Sequence, residues 1–193
     1  SGLSCLDVGC STGGFTDCLL KRGAAHVVSV DVGRAQFDWS LRNDARVTLL
    51  ERTNIVDVPA LGHAGAFDLA VCDVSFTSIR TILPAVLELI SADGAFLTLV
   101  KPQFEAAPDE VGEGGIVRDP TVHARVLEQT VRLLAQSGLA PLDVCASPIK
   151  GAKGNREFFL LGARGARDVQ GLCSNARALD ERIALLVSKA ASL

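Results

Sequence analysis

The stretch LSCLDVGCSTGGFT, residues 3–16, joins a short apolar run to a glycine-rich segment. The apolar run Leu3–Val8 has the length and composition of a buried β-strand. The segment after the glycines, Phe15–Arg22, is predicted to be a helix that ends at the following glycine. A strand, a glycine loop and a helix in this order are typical of α/β sheets, which bind ligands beyond the carboxyl ends of their strands. The loop Asp7–Gly14 is therefore the candidate ligand site.

The same alternation of strands and helices continues along the chain. Further strands are predicted at His26–Val30, Val47–Leu50, Phe67–Cys72 and Ala95–Val100, and helices at Ala35–Arg42, Ile79–Ile90, Pro120–Gly138 and Asn175–Ala190. The strands Leu142–Ala146 and Glu157–Gly162 are joined by a loop too short for a helical crossover, so they should pair antiparallel. We predict a doubly wound, Rossmann-like α/β sheet, mostly parallel, with one antiparallel strand near the C-terminus.

Length and composition are those of one globular domain. The 193 residues are 48% hydrophobic and 21% charged, so we expect a single domain over residues 1–193. The net charge of −3 argues mildly against a free-standing nucleic-acid binder. No apolar run approaches the roughly 18 residues of a membrane span, and the first residues do not have the pattern of a signal peptide. The six cysteines lack zinc-binding spacing, so we expect a reduced, cytoplasmic chain with no metal site.

The glycine loop fits neither of two common phosphate-binding patterns. A dinucleotide loop needs a glycine where this chain has Ser11, and a P-loop needs a lysine directly after Gly14. Asp31, at the end of the second predicted strand, is placed to accept hydrogen bonds from a ribose diol. These features together favour an adenosine site without a diphosphate, which suits S-adenosylmethionine. Taken singly, the glycines at 13 and 14 would also suit a tight turn, and Asp31 would suit a helix cap.

Seven ordered motifs resemble those of a known family. They are LDVGCSTGGFTDCLL (6–20), SVDVG (29–33), RTNI (52–55), CDVSF (72–76), LVKPQFE (99–105), GGIVRDP (114–120) and KGNREFFL (153–160). The sequence from Leu3 to about Arg164 resembles the TlyA family, also named hemolysin A. Its members are S4-domain-linked ribosomal RNA 2′-O-methyltransferases of the FtsJ-like type.

The resemblance implies a class I S-adenosylmethionine-dependent methyltransferase fold. The cofactor-binding residues that it implies are Asp7, Gly9, Ser11, Thr12, Gly13, Gly14, Asp31, Asn54 and Asp73. FtsJ-like enzymes use a Lys-Asp-Lys-Glu tetrad, and Asp73, Lys101 and Glu157 match its last three members. The first lysine and the S4 domain belong upstream of Ser1, so we expect this sequence to lack both. We therefore expect the chain to bind the cofactor but to methylate poorly.

By resemblance, the reaction is methylation of a ribose 2′-hydroxyl in ribosomal RNA, at cytidine. Lys101 would be the general base, with Asp73 and Glu157 orienting it and the hydroxyl. The segment CDVSF lacks the prolines of base-amine and cytosine-C5 methyltransferases, which also favours an oxygen target.

Several residues outside the tetrad are candidates for RNA contact. Phe76 and Phe104 could stack a target base, and the cations Arg118, Lys150, Lys153 and Arg156 could meet phosphates of ribosomal RNA or of ribosomal subunits. Three other functions stay open: a small-molecule methyltransferase, a cofactor-binding module without activity, and a membrane-active hemolysin. The last would require a long apolar or basic amphipathic segment, so no membrane contact is expected.

Overall fold

A computed structural model describes residues 1–34, 36–165 and 176–191. Its strands are β1 (Ser4–Val8), β2 (His26–Asp31), β3 (Val47–Glu51), β4 (Phe67–Cys72), β5 (Ile90–Val100), β6 (Ala140–Ala146) and β7 (Phe158–Ala163). Its α-helices are α1 (Gly14–Lys21), α2 (Trp39–Arg42), α3 (Ile79–Leu89), α4 (Pro102–Glu105), α5 (Pro120–Gln136) and α6 (Ala176–Ala191). Short 3₁₀ helices cover Ile55–Leu61, Pro108–Glu110 and Ala152–Gly154.

The strands form one seven-stranded sheet in the order β3-β2-β1-β4-β5-β7-β6. β1 pairs in parallel with β2 and β4, and Val8 lies opposite both Val30 and Cys72. The carboxyl ends of these three strands therefore meet at one edge of the sheet. β6 and β7 pair antiparallel, with Cys145 opposite Phe159. The prediction of a mostly parallel sheet with an antiparallel strand near the C-terminus is confirmed.

The chain divides into two compact units, Ser1–Val74 with Thr81–Leu97, and Ser75–Arg80 with Thr98–Leu193. In the first unit, a buried cluster of Cys5, Leu20, Ala24 and Val27 joins α1 to β1 and β2. Burial raises the pKa of the Cys5 thiol to about 11, as is usual for a small core residue. That residues 1–193 act as one methyltransferase domain stays a prediction.

In the second unit, α5 packs against α6 and β6. Its buried stripe includes Thr130, whose hydroxyl donates to the Val126 carbonyl at 2.8 Å, so this buried polar side chain has a hydrogen-bond partner. Asp119 caps α5 by accepting from the Thr121 amide at 2.8 Å, with Pro120 at the first helical position.

Several elements differ from the sequence predictions, among them α4 and the three 3₁₀ helices, which were not predicted. β5 begins at Ile90 because the turn-like segment 91–94 stays extended; a Cβ on Gly94 would lie 3.1 Å from the Phe67 carbonyl oxygen, so a glycine suits this close approach. α2 begins only at Trp39, where Asp38 caps it by accepting from the Ser40 amide at 2.7 Å. The 3₁₀ helix Ile55–Leu61 was not predicted. Ala35 and Asn175, which begin two predicted helices, lie outside the described residues.

Two further expectations concern the state of the cysteines and membrane-spanning segments. Cys5, Cys10, Cys18, Cys72 and Cys145 are not joined in disulfide bonds, and Cys173 lies outside the described residues. Within residues 1–34, 36–165 and 176–191, no helix is both long and apolar enough to cross a membrane.

Candidate active site

The three glycines of the loop after β1 differ in what surrounds them. Gly9 has a positive φ of 79°, and a Cβ there would lie 2.6 Å from the backbone oxygen of Asp73. Gly13 has a φ of 98°, and its Cβ would lie 2.5 Å from Leu41 Cδ1. Gly14 begins α1, and a Cβ there would meet nothing within 4 Å. Gly9 and Gly13 therefore allow the loop to pack, whereas Gly14 has open space beside it.

Asp31 organises the same loop. One carboxylate oxygen accepts from the Ser11 amide at 2.7 Å, and the other accepts from the Gly33 amide at 2.7 Å. Ser11 has a φ of 45°, a left-handed conformation that is costly outside glycine and that this hydrogen bond helps to hold. Each carboxylate oxygen can accept more than one hydrogen bond, so Asp31 can hold the loop and still receive a ribose hydroxyl.

Asp7 lies at the end of a buried polar chain. Its Oδ2 accepts from the Thr16 hydroxyl at 2.6 Å, so that hydroxyl in turn accepts from Ser29, at 2.7 Å. All three side chains are fully buried. The other oxygen, Asp7 Oδ1, is buried and has no hydrogen-bond partner among the described residues. A buried carboxylate oxygen that accepts no hydrogen bond is costly. Asp7 Oδ1 is therefore suited to accept a hydrogen bond from an additional donor.

Burial, together with the negative charges of Asp73 and Asp31, raises the pKa of Asp7 to about 6, although hydrogen bonds from Thr16 act to lower it. The three carboxylates are thus close enough to influence one another. Such a cluster at the ends of parallel strands favours a positively charged ligand.

The remaining predicted cofactor residues lie on the same unit. Asp73 follows β4, is half-buried and donates its amide to the Val8 carbonyl at 2.9 Å. Asn54 is exposed and caps the 3₁₀ helix by accepting from the Val56 amide at 3.3 Å. Thr12 is exposed, and its carbonyl accepts from the Asp38 amide at 3.0 Å.

In the second unit, the predicted base and the two aromatic residues lie around α4. Lys101 directly precedes α4, and its Nζ donates to Ser75 Oγ at 3.0 Å. Phe76 is 91% exposed, has a φ of 64° and lies with its ring centre 5.2 Å from that of Phe104. An exposed aromatic residue in a strained conformation is a common feature of binding sites.

Glu157 directly precedes β7 and is buried, with 6% of its surface exposed. Its Oε1 accepts from Gln103 Nε2 at 2.9 Å. On another side lies Gly151, where a Cβ would be 2.0 Å from the same oxygen. The carboxylate is therefore confined between an amide and a glycine backbone.

The segment 105–118 is anchored by two side chains. Glu105 accepts from the Ser78 hydroxyl and the Ile79 amide, both at 2.7 Å, and burial raises its pKa. Asn155 is buried, accepts from the Val117 amide at 3.0 Å and donates to the Gly115 carbonyl at 2.9 Å. The loop that carries three of the predicted phosphate contacts, Lys150, Lys153 and Arg156, is thereby tied to the loop that carries the fourth, Arg118.

Residues 1–164 match the FtsJ-like methyltransferase family. The chain belongs to this family. The FtsJ-like part thus covers both strands of the antiparallel pair and all the predicted site residues.

Individual relatives agree with the family assignment. The chain is 47% identical over 177 residues to the 16S/23S rRNA (cytidine-2′-O)-methyltransferase TlyA of Mycobacterium tuberculosis (strain CDC 1551 / Oshkosh), covering 87% of this chain and 66% of that protein. The TlyA resemblance is therefore confirmed. The chain spans just under two thirds of that relative's length.

Solved structures agree as well. A proposed hemolysin from Lactococcus lactis superposes with a TM-score of 0.81 at 38% identity, covering 90% of this chain and 87% of that one. The 1,6-didemethyltoxoflavin-N1-methyltransferase of Burkholderia thailandensis, solved with S-adenosylhomocysteine, superposes with a TM-score of 0.60 at 19% identity, covering 86% of this chain and 72% of that one. The second likeness concerns the fold alone, and it is a methyltransferase fold, as predicted.

Sequence reasoning missed four polar residues of these sites: Thr16, Ser29, Ser75 and Gln103. All four stand within the quoted motifs LDVGCSTGGFTDCLL, SVDVG, CDVSF and LVKPQFE, which was the available signal. Their hydrogen bonds reach residues on other elements, and no local pattern predicts such contacts.

Proposed function

We propose that this chain is the methyltransferase part of an enzyme that methylates the 2′-hydroxyl of a cytidine in ribosomal RNA. The observation that carries the proposal is the 47% identity, over 87% of the chain, to a relative of that named activity. Ribosomal RNA or ribosomal subunits are the proposed partners, and the cytoplasm is the proposed location.

S-adenosylmethionine is the proposed methyl donor, and the first unit suits it. The donor carries a positive sulfonium and an ammonium group, and the unit has an unused oxygen on Asp7 and two further carboxylates at Asp31 and Asp73. Gly14 leaves open space at the amino end of α1. When bound, the donor supplies a methyl group on a positively charged sulfur. The residues proposed to hold it are Asp7, Gly9, Ser11, Thr12, Gly13, Gly14, Asp31, Asn54 and Asp73.

The proposed chemistry is the transfer of one proton and one methyl group. Lys101, as the neutral amine, takes the proton of the ribose hydroxyl as that oxygen accepts the methyl group. Asp73 and Glu157 orient the amine and the hydroxyl. Ser75 accepts from Lys101 and so restricts where the amine points.

Phe76 and Phe104 are the proposed platform for the target base. Phe76 has an exposed ring and a strained backbone conformation, and both observations favour a binding role over a packing role. Arg118, Lys150, Lys153 and Arg156 are proposed to contact phosphates, and such contacts make binding weaker as salt increases.

The cofactor proposal is tested by calorimetric titration of S-adenosylmethionine into the chain and its Gly14→Ala variant. The added methyl group meets no protein atom within 4 Å and suits a helix, so stability should be unchanged or about 0.5 kcal/mol higher. Affinity should nevertheless fall by about tenfold or more, because the methyl group takes the space left for the ligand.

Gly138→Ala is the matched control. Gly138 follows α5 with a φ of 83° and also has open space around it, so its substitution should cost about 1 kcal/mol of stability without changing cofactor affinity. Equal affinity of the Gly14→Ala variant and the unsubstituted chain would refute the proposed approach at Gly14. No binding by the unsubstituted chain would refute the cofactor proposal.

The substrate proposal is tested with methyl-labelled donor and ribosomal subunits. Label in the ribose of cytidine, with RNA binding that weakens steeply as salt rises, is the expected result. Label in a base, or salt-independent transfer to small hydroxylated molecules only, would contradict it.

A further inference from the structure

Glu157 is an almost fully buried carboxylate that is held by few groups. Only 6% of the residue is exposed, and a buried charge is costly unless it receives hydrogen bonds. The Gln103 amide donates to its Oε1 at 2.9 Å, across 54 residues of sequence. This contact is therefore central to how the carboxylate is kept in place.

Gly151 limits the carboxylate on another side. A Cβ at this position would lie 2.0 Å from Oε1 and 2.9 Å from Oε2, so any other residue would push the carboxylate out of its place. The Gly151 backbone is itself held, since its amide donates to the Asn155 carbonyl at 2.9 Å and its carbonyl accepts from Gly154 at 3.0 Å.

Gln103 belongs to the same short helix that follows Lys101. The turn is closed by hydrogen bonds from the Phe104 amide to the Lys101 carbonyl and from the Ala106 amide to the Pro102 carbonyl, both of 2.9 Å. An ionised carboxylate only accepts hydrogen bonds, so Gln103 must turn its nitrogen towards Glu157. Its oxygen is then left buried without a hydrogen-bond partner among the described residues. The Gln103 side chain therefore donates to Glu157 while its own oxygen accepts no hydrogen bond from the described residues.

We propose that Gln103 is a positioning residue that fixes the carboxylate of Glu157, with Gly151 as the backbone wall that makes the arrangement possible. This inference rests on the proposed function, in which Glu157 orients the reacting groups. Gln103 stands in the motif LVKPQFE, next but one to the proposed base, and so links the placement of Lys101 to that of Glu157.

Gln103→Met tests the inference, because methionine has a similar length and shape but no hydrogen bond to give. Loss of a hydrogen bond to a charged group should lower kcat for ribosomal RNA by about 10- to 100-fold. The affinity for S-adenosylmethionine, measured by calorimetry, should stay within about twofold. Gln136→Met, an exposed position at the end of α5, is the control and should change neither quantity. A fall in kcat and cofactor affinity together would indicate general damage and overturn the inference.

A thermal unfolding cycle keeps the inference separate from the proposed function. In the unsubstituted chain, Gln103→Met should lower Tm by about 3–10 °C, because it leaves the buried carboxylate without its donor. In the Glu157→Leu background the same substitution should change Tm by less than about 2 °C. Equal losses in both backgrounds would overturn the inference, even if the chain proved inactive on RNA. A chain that binds no S-adenosylmethionine but shows the expected cycle would refute the proposed function and leave Gln103 as the residue that fixes Glu157.

Discussion

Asp7→Asn is expected to remove a pH dependence of stability that a single buried carboxyl creates. Burial, with the negative charges of Asp73 and Asp31, raises the pKa of Asp7 from 3.8 to about 6 in the folded chain. The folded state therefore holds this proton more tightly than the unfolded state does. The resulting stabilisation is complete below pH 3.8 and is lost as the pH rises through about 6.

The size of the effect follows from the two pKa values. Each pH unit between them corresponds to about 1.36 kcal/mol, so the full loss is about 3 kcal/mol. Between pH 4.5 and 7.5, the accessible part of this window, the loss is about 2 kcal/mol. Asparagine does not titrate, and any cost of burying its amide beside Thr16 is the same at every pH.

Urea unfolding of both proteins at several pH values between 4.5 and 7.5 measures the effect. The free energy of unfolding of the Asp7→Asn variant, minus that of the unsubstituted chain, should rise by about 2 kcal/mol across this range. Asp44→Asn is the control: the hydrogen bonds from Arg46 lower the pKa of this partly exposed carboxyl to about 2, so its effect on stability changes almost entirely below the measured range. A difference for Asp7→Asn that is the same at pH 4.5 and 7.5 would refute the reasoning about the buried carboxyl.

Two further substitutions test the loops of the second unit. Asn155→Ala removes the acceptor of the buried Val117 amide and should cost about 2–3 kcal/mol, with faster hydrogen exchange at Val117; unchanged protection there would mean that Asn155 does not tie the two loops together. Phe76→Gly should raise the free energy of unfolding by about 1 kcal/mol, because glycine accepts the φ of 64° without strain, while lowering RNA affinity. A loss of stability would contradict the strain, and unchanged RNA affinity would contradict the proposed stacking.

Elements that are mostly apolar and mostly buried were the most predictable. The run Phe67–Cys72 is a strand with the predicted bounds, and four of its six residues are buried, with only Asp68 exposed. The start of β5 was predicted five residues late, since the segment 91–94 carries residues typical of turns. There the position of a glycine beside Phe67 outweighed local preference, and a contact of this kind is not visible along the chain.

The features of the site likewise divide into those that local sequence order predicts and those that depend on contacts between residues distant in sequence. Asp31 could be predicted because its position at the end of a strand, after a glycine loop, is a feature of sequence order. The hydrogen bond between Gln103 and Glu157 joins residues 54 positions apart and depends on how α4 and β7 lie in the second unit. A local sequence motif therefore does not predict it.

The glycines show most clearly why residue identity alone could not settle the loop. Gly13 and Gly14 are neighbours of the same type, and both matched the cofactor motif. A Cβ on Gly13 would lie 2.5 Å from Leu41, whereas a Cβ on Gly14 would enter open space. The first is therefore constrained by folding, whereas only the proposed cofactor would constrain the second. Folding and the proposed cofactor would both require glycine, so residue type alone does not separate the two cases. Only the surroundings of each Cα distinguish a glycine that the fold needs from one that the proposed cofactor needs.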